Sequence, residues 1–117
     1  MKGLELSTAI AKILDNKKAH DVKVLKIEDL TIVTDYIVIA TGTSTTQVNA
    51  LADEVEFQLE TQHGLRPTRV EGYESKNWIL MDYDTVIVHV FHPEARNYYN
   101  LDKLWADGEE IAINLED

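Results

Sequence analysis

The chain contains no cysteine, which removes disulfides, thiolate nucleophiles and Cys-ligated zinc or iron–sulfur centres from consideration. No apolar run approaches the roughly 20 residues needed to span a bilayer. The start, Met1-Lys2-Gly3-Leu4-Glu5-Leu6, lacks the apolar stretch of a secretory signal. A cytoplasmic protein without a membrane partner is the expectation. Basic residues are scarce too, with eleven Lys and Arg against twenty-one Asp and Glu and a formal charge of -10. Phosphate backbones and anionic lipid are bound by clustered cations, so direct, sequence-specific contact with nucleic acid is not expected. The negative charge either keeps the chain soluble or steers it to a basic partner, and composition does not choose between these.

What is present is enough for a core. The hydrophobic fraction of 44% beside 27% charged residues is ordinary for a folded protein, and 117 residues suit one domain spanning 1–117. Leu6, Ile10, Ile13 and Leu14 recur at helical spacing, predicting an amphipathic helix over 4–18. Strands are expected at 22–27, rich in β-branched residues, and at 36–40, an apolar run suited to a sheet covered on both faces. Thr43-Ser44-Thr45-Thr46 can cap a second helix with the stripe Val48, Leu51, Ala52, Val55 and Leu59, and His63-Gly64 closes it. With a strand near 66–71, this reads as a βαβ crossover. Trp78–Asp82 and Val86–Phe91 flank Tyr83-Asp84-Thr85 as a β-hairpin. A helix over 94–105 and an acidic tail at 106–117, expected to be only partly ordered, complete an α/β reading.

The chemistry-bearing residues do not converge on a catalytic set. The turn Ala40-Thr41-Gly42-Thr43-Ser44 lacks the glycine spacing of a dinucleotide fingerprint and the Gly-Lys-Ser/Thr ending of a P-loop, so it reads as a helix cap. Asp82 and Asp84 form an Asp-x-Asp, but in a hairpin turn and without basic neighbours for a substrate phosphate. His89 and His92, three apart on a strand, point to opposite faces and do not share a metal ion. A Ser44, His89 and Asp triad lacks the nucleophile-elbow pattern around Ser44. No cofactor and no catalytic residue are expected. The hairpin differs, because alternation puts Trp78, Leu80 and Asp82 on one face. In a short regular hairpin His89 and Ile87 would lie across from Trp78 and Leu80. Such a face has an aromatic anchor, an aliphatic centre and an acidic rim, the anatomy of a docking surface. The alternative is that a helix covers it and Trp78 is core.

Several stretches carry a family resemblance: Asp35-Tyr36-Ile37-Val38-Ile39-Ala40-Thr41-Gly42-Thr43-Ser44 with Gln47-Val48, Glu71-Gly72, Trp78-Ile79-Leu80-Met81-Asp82, Val86-Ile87-Val88-His89-Val90-Phe91, Arg96-Asn97-Tyr98-Tyr99 and Leu101-Asp102-Lys103-Leu104-Trp105. In this order the chain resembles the ribosomal silencing factors, or Iojap family, from about residue 4 to 107. The resemblance implies a mixed β-sheet of about five strands flanked by helices, a nucleotidyltransferase-like fold without the catalytic carboxylates. It implies a non-enzymatic translation repressor that binds the large ribosomal subunit on its ribosomal protein fourteen. Bound there, such a factor obstructs subunit joining when nutrients are scarce. The partner-binding residues carried over are Glu71, Trp78, Leu80, Asp82 and His89. The family usually has Gly-Asp where this chain has Asp84-Thr85, and Phe-Tyr at Tyr98-Tyr99. Asp84 tolerates the left-handed conformation that glycine would supply. A homodimer of the free chain is a further expectation, since an exposed sheet face can pair with itself.

Overall fold

A computed structural model describes residues 1–113. One helix, α1 (Gly3–Asn16), precedes strands β1 (His20–Lys26) and β2 (Tyr36–Thr41). The long helix α2 (Thr45–His63) leads to β3 (Arg69–Glu71), then β4 (Trp78–Asp82) and β5 (Val86–Phe91). Two short helices, α3 (Pro93–Tyr99) and α4 (Leu101–Leu104), come before β6 (Glu109–Ile111). The sheet has six strands in the order β3-β4-β5-β2-β1-β6, mixed as expected and one strand wider than the expected five.

Local chemistry accounts for the helices. Leu6, Ile10, Ala11 and Leu14 face inward from α1, spaced three and four apart so that one stripe is buried. At the start of α2 the Ser44 hydroxyl accepts from the Gln47 N–H at 3.0 Å, and the Gln47 side-chain oxygen accepts from the Thr43 N–H, a reciprocal cap. Gly64 ends the helix in the left-handed conformation, φ 65°, as His63-Gly64 suggested. Both helices cover one face of the sheet, where Val24, Val38, Ala40, Ile79, Met81, Val88 and Val90 join their apolar stripes in the larger core. Each fully buried Val, Leu or Ile there contributes about 1.5–3 kcal/mol.

The opposite face carries a smaller core of Leu25, Ile37, Ile39, Ile87, Phe91 and Leu101 beneath α3 and α4. All six residues of β2 are therefore buried, which is why that run shows no alternation. The βαβ crossover through α2 is present, because β3 runs in the same direction as β2, but it lands at the far edge: the strand paired with β2 is β5, and the β4–β5 hairpin occupies the places between. Two expectations are corrected. The expected helix 94–105 breaks at Asn100, φ 50°, whose side chain caps the next turn by accepting from the Lys103 N–H. Residues 109–111, expected in a tail, pair antiparallel with β1; the last four residues of that tail lie outside the described residues.

Candidate functional site

Strand register brings the five expected contact residues onto one face. Glu71, Leu80 and His89 form a cross-strand row through β3, β4 and β5. Asp82 stands in the next row, opposite Arg69 and Ile87, and Trp78 lies opposite Phe91. The expected pairing of Trp78 with His89 and of Leu80 with Ile87 is thus corrected by one row. The cause is the turn: Tyr83 N–H donates to Val86 O at 2.9 Å, so the ladder runs on through both residues and only Asp84 and Thr85 form the loop. Asp84 is left-handed, φ 72°, as its tolerance of that conformation suggested, and its N–H donates to Asp82 Oδ1 at 2.8 Å.

Trp78 is half-buried and held on several sides. Its ring stacks on Phe91 at 5.1 Å and meets Tyr99 of α3 at 4.5 Å. Its indole N–H donates to His89 Nδ1 at 3.0 Å. The two readings of this face, docking surface or covered core, therefore divide along it. At one end α3 and α4 lie over Phe91; at the other Leu80, Glu71 and Asp82 are open or half-open. His89 is only 7% exposed, so most of its role is to fix Trp78 from below. Burial pushes its imidazole down to about 4, keeping Nδ1 unprotonated and able to accept near neutrality. Gly72 sets the other side of the anchor: with φ 98°, any Cβ there would lie 1.9 Å from the Trp78 carbonyl oxygen. That contact explains glycine at this position.

The rim holds a cation that sequence reasoning missed. Arg69 Nε lies 2.8 Å from Glu71 Oε2, and its Nη2 is 3.9 Å from Asp82 Oδ2. Such solvated pairs add little to stability, so Arg69 can swing away for an incoming partner at small cost. Period-two alternation from Glu71 could have placed it on this face. With Asp82 committed to Asp84 and Arg69, the Asp-x-Asp is a turn motif rather than two carboxylates aimed at one ion. Among the described residues no group of three or more His, Asp or Glu is placed to hold a metal. At the Gly42–Ser44 turn the Gly42 N–H donates to Phe91 O at 2.8 Å, so that donor is spent on extending the ladder between β2 and β5.

Arg96 ties α3 and α4 to the sheet. Its Nη1 donates to Asp21 O at 2.7 Å and to Thr41 Oγ1 at 2.8 Å, while Nε and Nη2 grip both oxygens of Asp102. Lys23 adds a third contact to Asp102 at 3.1 Å. The hydrogen bond from Arg96, joined by that from Lys23, holds the Asp102 carboxyl down to about 2. Its stabilising contribution is therefore present above its ordinary 3.8 and fades as pH falls towards 2. Lysine cannot reproduce this fork. Arg96→Lys is expected to cost about 1–2 kcal/mol in urea unfolding, and an unchanged midpoint would show the network to be decorative.

Beside the hairpin, an apolar groove of about 280 Å³ is lined by Ile27, Val33, Ile37, Ile87, Leu104 and Trp105 among others. Ile32 and Val33 of the β1–β2 loop stand exposed at this end of the sheet. No helix among the described residues is long and apolar enough to cross a membrane.

A family model described as ribosomal silencing factor during starvation matches residues 2–117. Ribosomal silencing factor RsfS of Bacillus subtilis (strain 168) is 41% identical over 97 residues, covering 83% of this chain and 81% of that protein. The RsfS protein of Halalkalibacterium halodurans is 37% identical over 113 residues, covering 97% and 96%. A crystal structure of a Chromobacterium violaceum protein superposes with a TM-score of 0.86 at 34% identity, covering 99% of this chain and 95% of that one.

Proposed function

Because this chain belongs to the ribosomal silencing factor family, we propose that it represses translation by binding, without bond chemistry, to the large ribosomal subunit through ribosomal protein fourteen. It sits there as a steric block to subunit joining when nutrients are limiting, and it works in the cytoplasm. The observation that carries the reading is the single sheet face on which Trp78, Leu80, Glu71 and Asp82 surround a supporting His89. Ribosomal proteins are mostly basic, and a chain of charge -10 is drawn to such a surface while the surrounding RNA repels it. Trp78 is the anchor, Leu80 the aliphatic centre, and Glu71 and Asp82 the rim.

Co-sedimentation with separated subunits tests this. The protein is expected to pellet with large subunits and not with small ones. Leu80→Ala should weaken that binding about tenfold. Glu71→Lys, on an exposed side chain, should lower the association rate and its salt dependence. Absence from the large-subunit pellet would sink the proposal.

A second reading concerns the free chain. The apolar groove beside exposed Ile32 and Val33 favours pairing with a second copy, which would bury both. Light scattering should then show a dimer that Val33→Glu returns to monomer.

A further inference from the structure

We propose that the cleft between the β3–β4 loop and α3 is a receptor for one arginine side chain of the basic protein partner. The assignment rests on the docking reading above and adds a chemically defined subsite to it. The cleft, about 520 Å³, is lined by Trp78, Tyr98, Tyr99, Glu94 and Ser75. Its aromatic walls are unusual for a surface that packs against nothing: Tyr98 is 82% exposed and Tyr99 50%. The two phenol rings meet edge to face at 5.0 Å, and Tyr99 continues onto Trp78. Three neighbouring π-systems held in place are costly to expose to water unless something covers them.

Charge identifies the occupant. Glu94 is exposed at the cleft and makes no ion pair among the described residues. Glu71 and Glu74 line the adjoining hollow, which shares Ser75 with the cleft. An aromatic wall with a carboxylate attracts a cation through the ring quadrupole and the negative charge together. A planar guanidinium both stacks on a ring and offers a fork to the carboxylate, which a lysine ammonium cannot do. An apolar occupant would leave Glu94 desolvated and unpaired. Lys76, in the same loop, is exposed and does not line the cleft.

Two measurements on the full chain test the assignment. In the first, NMR follows titration with the peptide acetyl-Gly-Arg-Gly-amide, with its citrulline counterpart as the neutral isostere. Saturable shifts at the Trp78 indole and at the Glu94, Tyr98 and Tyr99 amides are expected with arginine, weaker ones in Glu94→Gln, and none with citrulline. Shifts of equal size with citrulline, or none localised to the cleft, overturn the proposal. In the second, Tyr98→Leu and Glu94→Gln are each expected to lower affinity for large subunits roughly tenfold with an unchanged melting temperature. Unchanged affinity in both variants, where the parent chain binds, overturns the assignment while leaving the ribosome reading standing. If the parent chain does not bind, that reading fails and the peptide titration alone decides the cleft.

Discussion

Gly72→Ala will cost the fold about 2–5 kcal/mol and, on the docking proposed above, will weaken large-subunit binding as well. Two penalties combine. At φ 98° an L side chain is strained by about 1–2 kcal/mol. The added Cβ would also fall 1.9 Å from the Trp78 carbonyl oxygen, and backbone, unlike a flexible side chain, yields only by moving the strand, a further 1–3 kcal/mol or so. The start of β4 must shift away from β3, carrying the anchor ring with it. Gly64→Ala is the control. Its φ of 65° is also positive, but nothing lies within 4 Å of the added atom, so it should cost only about 1 kcal/mol. Urea unfolding of both variants separates strain from collision. If Gly72→Ala costs no more than Gly64→Ala, the close approach to Trp78 has been misjudged.

The second large effect is a loss of stability on mild acidification. His89 is neutral in the folded chain down to about pH 4 because burial disfavours its charge, whereas in the unfolded chain it takes up a proton near its ordinary 6.5. Its folded pKa is the lower one, so its contribution is complete above about 6.5 and falls away as pH drops from 6.5 to 4. At 1.36 kcal/mol per pH unit the loss approaches about 3 kcal/mol. Most of that window precedes the titration of ordinary carboxylates. Unfolding free energies at pH 7.0 and 4.5 should differ accordingly in the parent chain. His89→Leu should start lower, since the Trp78 N–H loses its acceptor, but should be nearly flat across the window. A slope that survives in His89→Leu would assign the acid sensitivity to other groups. Protonation also removes the Nδ1 lone pair that holds the indole, so ribosome binding should weaken with stability.

Much of this architecture was legible in the residues, and what was not has a common cause. Ser44 and Gly64 announce the ends of α2, and the stripe of α1 announces its buried side, because caps and helical periodicity are local. The run Tyr36–Thr41 reads as doubly covered because no polar residue breaks it. The sharing of one face by Trp78, Leu80 and Asp82 follows from alternation alone. Contacts that join distant segments left no such trace. Asp84 signalled a turn without saying that Tyr83 and Val86 would extend the ladder, and that displaced the register by one row. Nothing near β2 says that β5 will be its neighbour, since the choice depends on where the hairpin packs. Arg96 is one basic residue among eleven until Asp21, Thr41 and Asp102 converge on it. Tyr98, where the resembled family usually has phenylalanine, shares a cleft with Tyr99 and Trp78, which the residues around it gave no local sign of.

The two ends of the sheet bear on how the chain behaves when it has no ribosome to bind. Its outermost strands are only three residues each, Arg69–Glu71 and Glu109–Ile111, and four of those six positions are charged. A longer, apolar edge would offer unpaired amides as a template on which further chains could add. Edges this short and this charged give an incoming strand almost no ladder to join, and at the Glu109–Ile111 edge an antiparallel second copy would set Glu110 against Glu110. Fibrous addition of further chains at either edge is thereby disfavoured.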